Sequence, residues 1–219
     1  MLFRSAARAG RADGACGALP LSQVLPRPSF GGANDTGDHM ADLTLLGISG
    51  SLRAGSYNRK LLAEARARFA PARYLEGDLR LPLYDGDLEE REGVPEAVTR
   101  LTDQIAEADA IVIAAPEYNK GVTGVMKNAL DWISRVPGFP LADKPTALIS
   151  ANAGRTGGET GQFMLRACLV PLRPSVLEYP TVMIAGASEH FDAEDRLVTE
   201  SYAKALDALM AKLRERAGG

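Results

Sequence analysis

Residues 47–58 read Gly-Ile-Ser-Gly-Ser-Leu-Arg-Ala-Gly-Ser-Tyr-Asn, and this stretch decides the fold. It overlaps the end of a short apolar run, 43–48, that is typical of a buried strand. It leads into residues 58–70, whose apolar side chains recur at helical spacing. The stretch is therefore predicted to be the turn that joins the first strand to the first helix of an α/β domain.

The residue types in this turn suit a phosphate group. Gly50 and Gly55 allow a sharp turn and a close approach of the backbone to a ligand. The helix that follows directs unpaired N–H groups and the positive end of its dipole at the same place. Four side chains add hydrogen-bond donors, one of them permanently charged: Ser51, Arg53, Ser56 and Asn58.

A simpler alternative is a surface turn with a Ser or Asn helix cap, which needs no ligand. A cap accounts for one of the polar residues but not for the whole set, so phosphate binding is favoured. The spacing is not G-x-G-x-x-G, and no Gly-Lys-Ser/Thr sequence follows. The turn is therefore predicted to be neither a dinucleotide fingerprint nor a nucleoside-triphosphate P-loop.

The composition limits the class of protein. A chain of 219 residues with 46% hydrophobic residues suffices for one sizeable α/β domain and an additional tail. The formal net charge of -3 provides no field to attract nucleic acid, and no apolar run approaches the ~20 residues of a membrane span. Two cysteines and two histidines argue against a metal site, a disulfide framework and a Ser-His-Asp hydrolase. We expect no metal and a cytoplasmic location.

Residues 1–40 differ in composition from the rest of the chain. They are rich in Gly, Ala, Pro and Arg and show no sustained apolar periodicity, so they are expected to be a disordered or dispensable extension. The early arginines faintly suggest a transit peptide. A working start at Met40 is the simpler explanation.

From residue 43 onward, strand-like and helix-like segments alternate. Strands are predicted at 43–48, 72–76, 108–115, 144–150 and 176–184. Helices are predicted at 58–70, 95–106, 121–134, 158–172 and 193–216, with an irregular acidic loop over 79–93. Repeated β-α units predict a doubly wound, five-stranded parallel sheet with helices on both faces. Ligands in such sheets bind beyond the carboxyl ends of the strands, here in the loops after strands one, three and four.

The loop after the third strand has residues suited to the wall of a flat ring: Pro116, Glu117, Tyr118 and Asn119. The alternative is that these residues only make the turn. In the helix that follows, Trp132 is predicted to be a core residue, and Lys127 and Asp131 are predicted to form a surface pair.

The loop after the fourth strand contains small residues that permit close backbone approach to a ligand: Ser150, Asn152, Gly154, Gly157 and Gly158. A mobile surface loop is nearly as good an explanation for this stretch alone. Three such loops at one sheet edge strengthen the prediction of a site.

These motifs together resemble the NAD(P)H-dependent FMN reductase family, and most of all its quinone, chromate and azo-dye reductase branch. The resemblance rests on Gly-Ser-Leu-Arg-x-Gly-Ser-x-Asn at 50–58, Pro-Glu-Tyr-Asn at 116–119, Lys-Asn-Ala-Leu-Asp-Trp at 127–132 and Gly-Gly at 157–158. It covers residue 43 to the C-terminus and implies that 41–219 form a flavodoxin-like, FMN-binding reductase domain. The third loop is the weakest part of the match, because members often have another residue where Asn152 stands.

The resemblance also implies the chemistry. Ser51, Arg53, Ser56 and Asn58 would hold the FMN phosphate. Residues 116–119 would line the isoalloxazine, with Ser150, Asn152 and Gly154 completing the site. The flavin would carry the chemistry, with a ping-pong hydride transfer from NAD(P)H to FMN and then to a quinone, azo compound, chromate or similar acceptor. Tyr118 would shape the acceptor pocket without being an assigned catalytic residue. A homodimer or homotetramer is implied.

Two other functions remain open at this level. One is a non-enzymatic electron carrier of flavodoxin type. Against it, the composition is only mildly acidic, whereas a docking surface for redox partners often has more concentrated charge, and the phosphate loop carries Arg53 instead of a run of Ser and Thr. The other is a flavodoxin-fold enzyme that acts on nucleosides without flavin and would need Glu117 as its carboxylate. The sequence does not distinguish NADH from NADPH. Arg155 is a candidate for contact with a 2′-phosphate, although a lone arginine in a loop is more often simply solvated.

Deleting residues 1–39 is expected to leave folding and activity intact, because these residues lack the apolar periodicity needed to pack against the domain. The measurement compares soluble yield, circular dichroism and turnover of the truncated and full chains. Loss of soluble protein on deletion would contradict the expectation.

Overall fold

The computed structural model describes residues 42–218, so the predicted extension at 1–40 lies outside the described residues. The main sheet runs in the order β2-β1-β3-β6, with two short strands, β7 and β8, beside β6 at its far edge. Every pairing in this sheet is parallel. Its strands are β1 (Thr44–Ser49), β2 (Arg73–Gly77), β3 (Ala110–Ala114), β6 (Pro145–Ala151), β7 (Ser175–Val176) and β8 (Val182–Ile184). The predicted α/β architecture is confirmed.

Helices cover both faces of this sheet. They are α1 (Tyr57–Phe69), α2 (Gly86–Glu92), α3 (Glu96–Glu107), α4 (Gly124–Ile133), α5 (Glu159–Leu169) and α6 (Glu200–Gly218). The strand side chains alternate between two cores, as the pleat requires. In β3, Val112 packs in the core that contains α1 and α6, whereas its neighbours Ile111 and Ile113 pack with α3, α4 and α5.

The fifth strand was predicted as one segment over 176–184, but the structure contains two short strands there. The chain pairs with β6 twice, through β7 and β8, and leaves the sheet between them. Pro180 lies in this interval, and a proline has no N–H to donate to a β-ladder. The fifth position of the sheet therefore contains two short strands, which brings the strand count to six.

The last helix was also predicted too long, because α6 begins at Glu200 and not at Ala193. The intervening residues form a tight turn around Asp192, whose Oδ1 accepts hydrogen bonds from the N–H groups of Glu194 and Arg196. These bonds, led by that from Arg196, lower the pKa of the Asp192 carboxyl. A side-chain oxygen that accepts hydrogen bonds from nearby backbone N–H groups competes with the backbone bonds of a helix, which agrees with the later start of α6.

The acidic stretch at 79–93, predicted as wholly irregular, contains the short helix α2 and an extended strap before it. The strap is fixed to α4. Asn128 accepts from the Tyr84 N–H at 2.8 Å and donates to the Pro82 carbonyl at 2.9 Å, and the Trp132 indole N–H donates to the same carbonyl at 2.8 Å. Hydrogen bonds to distant residues of α4 therefore order the strap, whose own sequence has no apolar periodicity.

The two predictions about α4 are confirmed. Trp132 is fully buried. Lys127 and Asp131 form a surface ion pair, with Nζ 2.6 Å from Oδ1.

Candidate functional site at the carboxyl ends of three strands

The loop between β1 and α1 is fixed against the loop after β3. The Gly50 N–H donates to the Ala114 carbonyl at 2.8 Å, and the Thr123 hydroxyl donates to the Gly50 carbonyl at 2.8 Å. A Cβ at Gly50 would lie only 3.2 Å from the Ala115 Cα, so glycine is needed here for close packing. Gly55 lies in the turn of the loop, its φ is not positive, and a Cβ there would meet no protein atom within 4 Å, so its predicted close approach to a ligand stays a prediction.

This loop presents a set of donors suited to an anion. Within residues 42–218, no carbonyl or side-chain acceptor takes the backbone N–H groups of Leu52, Ala54 or Gly55. The Arg53 guanidinium is exposed and forms no ion pair with any described acidic residue. Because α1 begins directly after the loop, its N-terminal dipole adds positive potential at the same place.

Two serines shape the loop from within. The Ser51 Oγ accepts from the Arg53 N–H at 3.4 Å, and the Ser56 Oγ caps α1 by accepting from the Asn58 N–H at 3.2 Å. Both side chains are buried. Each hydroxyl acts as an acceptor in these bonds and keeps its own proton to donate to a ligand.

Asn58 has a role other than the one predicted. Its Nδ2 donates to the Ala151 carbonyl at 2.7 Å, and its Oδ1 accepts from the Ala151 N–H at 3.1 Å. The residue is 2% exposed, so this amide joins α1 to the end of β6. The expectation that the Asn58 side chain holds a phosphate is therefore replaced by a role in positioning the loop.

The residues after β3 form a small antiparallel hairpin, β4 (Glu117–Tyr118) and β5 (Gly121–Val122), that was not predicted. Asn119 and Lys120 make its turn with positive φ values of 51° and 63°. Positive φ at both central residues is typical of two-residue hairpin turns, where Asn is a preferred residue. Pro116 is buried at the base, and the Tyr118 side chain is 55% exposed.

Glu117 connects the hairpin to α5. Its Oε2 accepts from the Gly161 N–H at 3.0 Å, in the first turn of α5, and its Oε1 lies 3.5 Å from the Lys120 Nζ. A carboxylate at a helix N-terminus is favourable because the helix dipole is positive there. The Glu117 side chain is only 10% exposed, so it is a structural acceptor and not a free base.

The third loop is held by a polar network. Asn152 accepts from the Glu117 N–H at 2.9 Å through Oδ1 and donates to the Gly157 carbonyl at 3.1 Å through Nδ2. The Ser150 hydroxyl donates to the same carbonyl at 2.6 Å and accepts from Gln162 at 3.0 Å. Ser150 is fully buried. The Ser150 hydroxyl therefore supports the third loop from within and does not line the cavity. The Asn152 side chain joins the second loop to the third.

Two of these loops enclose a cavity of about 380 Å³. Its lining residues are Glu117, Tyr118, Lys120, Asn152, Ala153, Gly154, Arg155, Thr156 and Gly158. Four predicted site residues therefore meet in one cavity: Glu117, Tyr118, Asn152 and Gly154. Asn119 lies exposed at the hairpin tip. A second cavity, of about 230 Å³, lies between the first loop and β2 and is lined partly by Ser51 and by the paired Arg59 and Glu76.

Sequence reasoning missed residues that organise the site. Thr123 caps α4 by accepting from the Met126 N–H at 3.4 Å, besides donating to Gly50. Its position before an apolar helix is a signal for a cap that could have been used. Gln162 donates to Ser150 and to the Val182 carbonyl from a fully buried position. No local pattern marks such a residue.

Among residues 42–218, no group of three or more His, Cys, Asp or Glu side chains could hold a metal ion. None of the described helices is long and apolar enough to cross a membrane.

Comparisons with known proteins find a matching family, similar sequences and a similar fold. The model of the NADPH-dependent FMN reductase family matches residues 43–189. A NAD(P)H-dependent FMN reductase of Pseudomonas aeruginosa is 46% identical over 161 residues, which cover 73% of this chain and 86% of that protein. A quinone reductase of Escherichia coli is 41% identical over 145 residues, covering 64% and 77%. The structure of a flavoenzyme NAD(P)H:(acceptor) oxidoreductase from Paracoccus denitrificans matches with a TM-score of 0.71 and 30% identity, covering 80% of this chain and 97% of that one.

Proposed function

The chain belongs to the NADPH-dependent FMN reductase family, and we propose that its three carboxyl-edge loops hold FMN and present it to NAD(P)H and to a small acceptor in turn. The chain is an oxidoreductase that uses FMN and NAD(P)H and reduces quinone-type acceptors. The observation that carries the proposal is the unpaired donor set of the first loop at the same sheet edge as the 380 Å³ cavity.

The first loop fits the phosphate of FMN. Its free N–H groups, the unpaired Arg53 and the start of α1 together supply hydrogen bonds and positive charge, which a phosphate ester requires. Ser51 and Ser56 would each donate a hydroxyl proton. Asn58 would act indirectly, by fixing the start of α1 to the end of β6.

The second and third loops fit a flat ring system. Pro116 and the backbone of 117–119 would form one wall, and Ala153 and Gly154 would lie at the other side of the cavity. FMN supplies reversible hydride and electron transfer when it is bound. Backbone N–H groups in these loops would stabilise negative charge on the ring, and the buried Ser150 and Asn152 network would hold the loops at a fixed separation.

One open site at the flavin supports a ping-pong order of binding. The cavity volume of about 380 Å³ falls at the lower end of the range for ligand sites, so the isoalloxazine would fill most of it and leave one exposed face, on which one further ring at a time would stack. NAD(P)H would enter, leave as the oxidised nucleotide, and be replaced by the acceptor. The exposed Tyr118 ring would favour flat acceptors by stacking on them. Azo compounds are proposed as further acceptors, as is chromate, which would not depend on stacking.

The two other functions lose support. The matched relatives are named as reductases, so the chain is an enzyme and not a non-enzymatic electron carrier. The nucleoside-directed alternative depended on Glu117 as a free carboxylate. That side chain is occupied by the Gly161 N–H and by Lys120.

We propose a homodimer, or a homotetramer built from it, and a cytoplasmic location. The exposed apolar side chains of α5 and the residue after it support the assembly. Phe163 and Val170 are 61% and 73% exposed, and Met164 is 44% exposed beside the hairpin. Phe163 and Val170 are seven positions apart, about two helical turns, so they share one side of this segment. Exposed apolar side chains grouped in this way are typical of protein contacts.

The proposed function is tested by absorbance after incubation of the purified chain with FMN and removal of free flavin. We expect flavin bands to remain with the protein and to bleach within seconds when NADPH or NADH is added without oxygen. A sample kept without nucleotide is the control. Retained bands that never bleach would favour the electron carrier, and loss of all flavin would contradict the assignment of the first loop.

A further inference from the structure

The cavity between the hairpin and the third loop has charged residues of both signs on its wall: Glu117, Lys120 and Arg155. The Glu117 carboxylate accepts a hydrogen bond from the Gly161 N–H and lies near the Lys120 ammonium group. The negative charge of Glu117 and the positive charge of Lys120 therefore largely offset each other. Arg155 is exposed and forms no ion pair with any acidic residue in the described part of the chain. Arg155 is therefore the uncompensated cation of this cavity.

The backbone on both sides of Arg155 is fixed. The Gly154 carbonyl accepts from the N–H groups of Gly157 at 3.4 Å and Gly186 at 3.3 Å. On the other side, the Thr156 carbonyl accepts from the Glu159 N–H at 3.2 Å. Only the side chain of Arg155 has to become ordered when a ligand binds, which lowers the entropic cost of the contact.

NADPH and NADH differ by one phosphate ester on the adenosine ribose. In Rossmann-fold proteins, sites that prefer NADH usually offer a carboxylate to the ribose 2′-hydroxyl, whereas sites that prefer NADPH offer an arginine to the 2′-phosphate, and the same charge logic applies to this cavity. Among the described residues, the only carboxylate that lines the cavity is that of Glu117, which is already engaged. The guanidinium group of an arginine is a planar fork of donors that can bind two phosphate oxygens at once. A lysine ammonium group is a point charge and lacks this geometry.

We propose that Arg155 selects NADPH over NADH by binding the 2′-phosphate of the nucleotide, an inference that rests on the reductase function proposed above. Arg155 is the specificity-determining residue of the donor step. It acts on nucleotide binding and not on hydride transfer, so it changes KM for NADPH and leaves kcat nearly unchanged.

The test uses two ligands that differ only in the group concerned, adenosine 2′,5′-bisphosphate and 5′-AMP, titrated calorimetrically into the FMN-loaded full chain. We expect the bisphosphate to bind at least about tenfold more tightly than 5′-AMP. Arg155→Ala removes this preference and leaves the affinity for 5′-AMP unchanged, and Arg155→Lys retains part of it. Arg91→Ala, which changes an exposed arginine of α2 paired with Glu92, is the matched control.

Steady-state rates provide a second readout. In Arg155→Ala, KM for NADPH should rise about tenfold or more while KM for NADH stays constant. The proposal would be overturned if the unaltered chain bound both adenosine ligands equally or bound neither. It would also be overturned if Arg155→Ala lost affinity for both ligands to the same extent. Failure of the reductase function itself would appear differently, as no oxidation of either nucleotide by the unaltered chain.

Discussion

Replacing Arg53 with alanine is expected to weaken FMN binding roughly 10- to 150-fold, which corresponds to the ~1.5–3 kcal/mol typical of a hydrogen bond to a charged group. Arg53 is the side chain of the first loop with a permanent charge, and no described acidic residue competes for it. The backbone N–H groups and the two serines would remain. The expected result is therefore weakened binding and not its loss.

Fluorescence titration of the flavin-free chain with FMN measures this effect. Riboflavin, which lacks the phosphate, should bind the unaltered chain and Arg53→Ala with the same affinity. Arg53→Lys should fall between the two, because it retains the charge and loses the fork of donors. An FMN dissociation constant that does not change in Arg53→Ala would contradict the assignment of the phosphate to residues 50–58.

Replacing Gly157 with alanine is expected to destabilise the fold by roughly 2–4 kcal/mol, a value at the upper end for single substitutions. Gly157 has φ of 64°, and a Cβ there would lie 2.6 Å from both the carbonyl carbon and the carbonyl oxygen of Met183. Met183 belongs to β8, which is paired with β6, so the backbone it would strike cannot move without breaking that pairing.

Gly154→Ala in the same loop is the matched control. An added Cβ at Gly154 meets no heavy atom within 4 Å, and its φ is not positive, so we expect a change within about 0.5 kcal/mol. Urea denaturation of the flavin-free forms, with midpoints compared at a common slope, gives the two free energies of unfolding. Equal stability of the two variants would show that the turn relaxes without cost.

The layout of the domain and the sheet edge that carries its site were predictable from residue patterns alone. The apolar runs that became β1, β3 and β6 are buried on both faces of a parallel sheet, and hydrophobic periodicity reports such burial directly. The loops after β1 and β6 were predictable as site loops because their Gly, Ser and Arg residues are unusual for plain turns, and the loop after β3 because residues 116–119 combine a rigid residue, an aromatic ring and an amide. Ser56 was identified as a possible cap from its place before an apolar helix.

Residue patterns did not predict which polar side chains hold the loops together, because that depends on contacts between distant segments. Asn58 and Ser150 look like ligand-binding residues in sequence, but their hydrogen bonds go to residues on other elements, 93 and 12 positions away. The strap before α2 was likewise ordered by Asn128 and Trp132, more than 40 positions along the chain. Local patterns record burial and backbone preference, whereas the partner of a buried polar group depends on how distant segments meet.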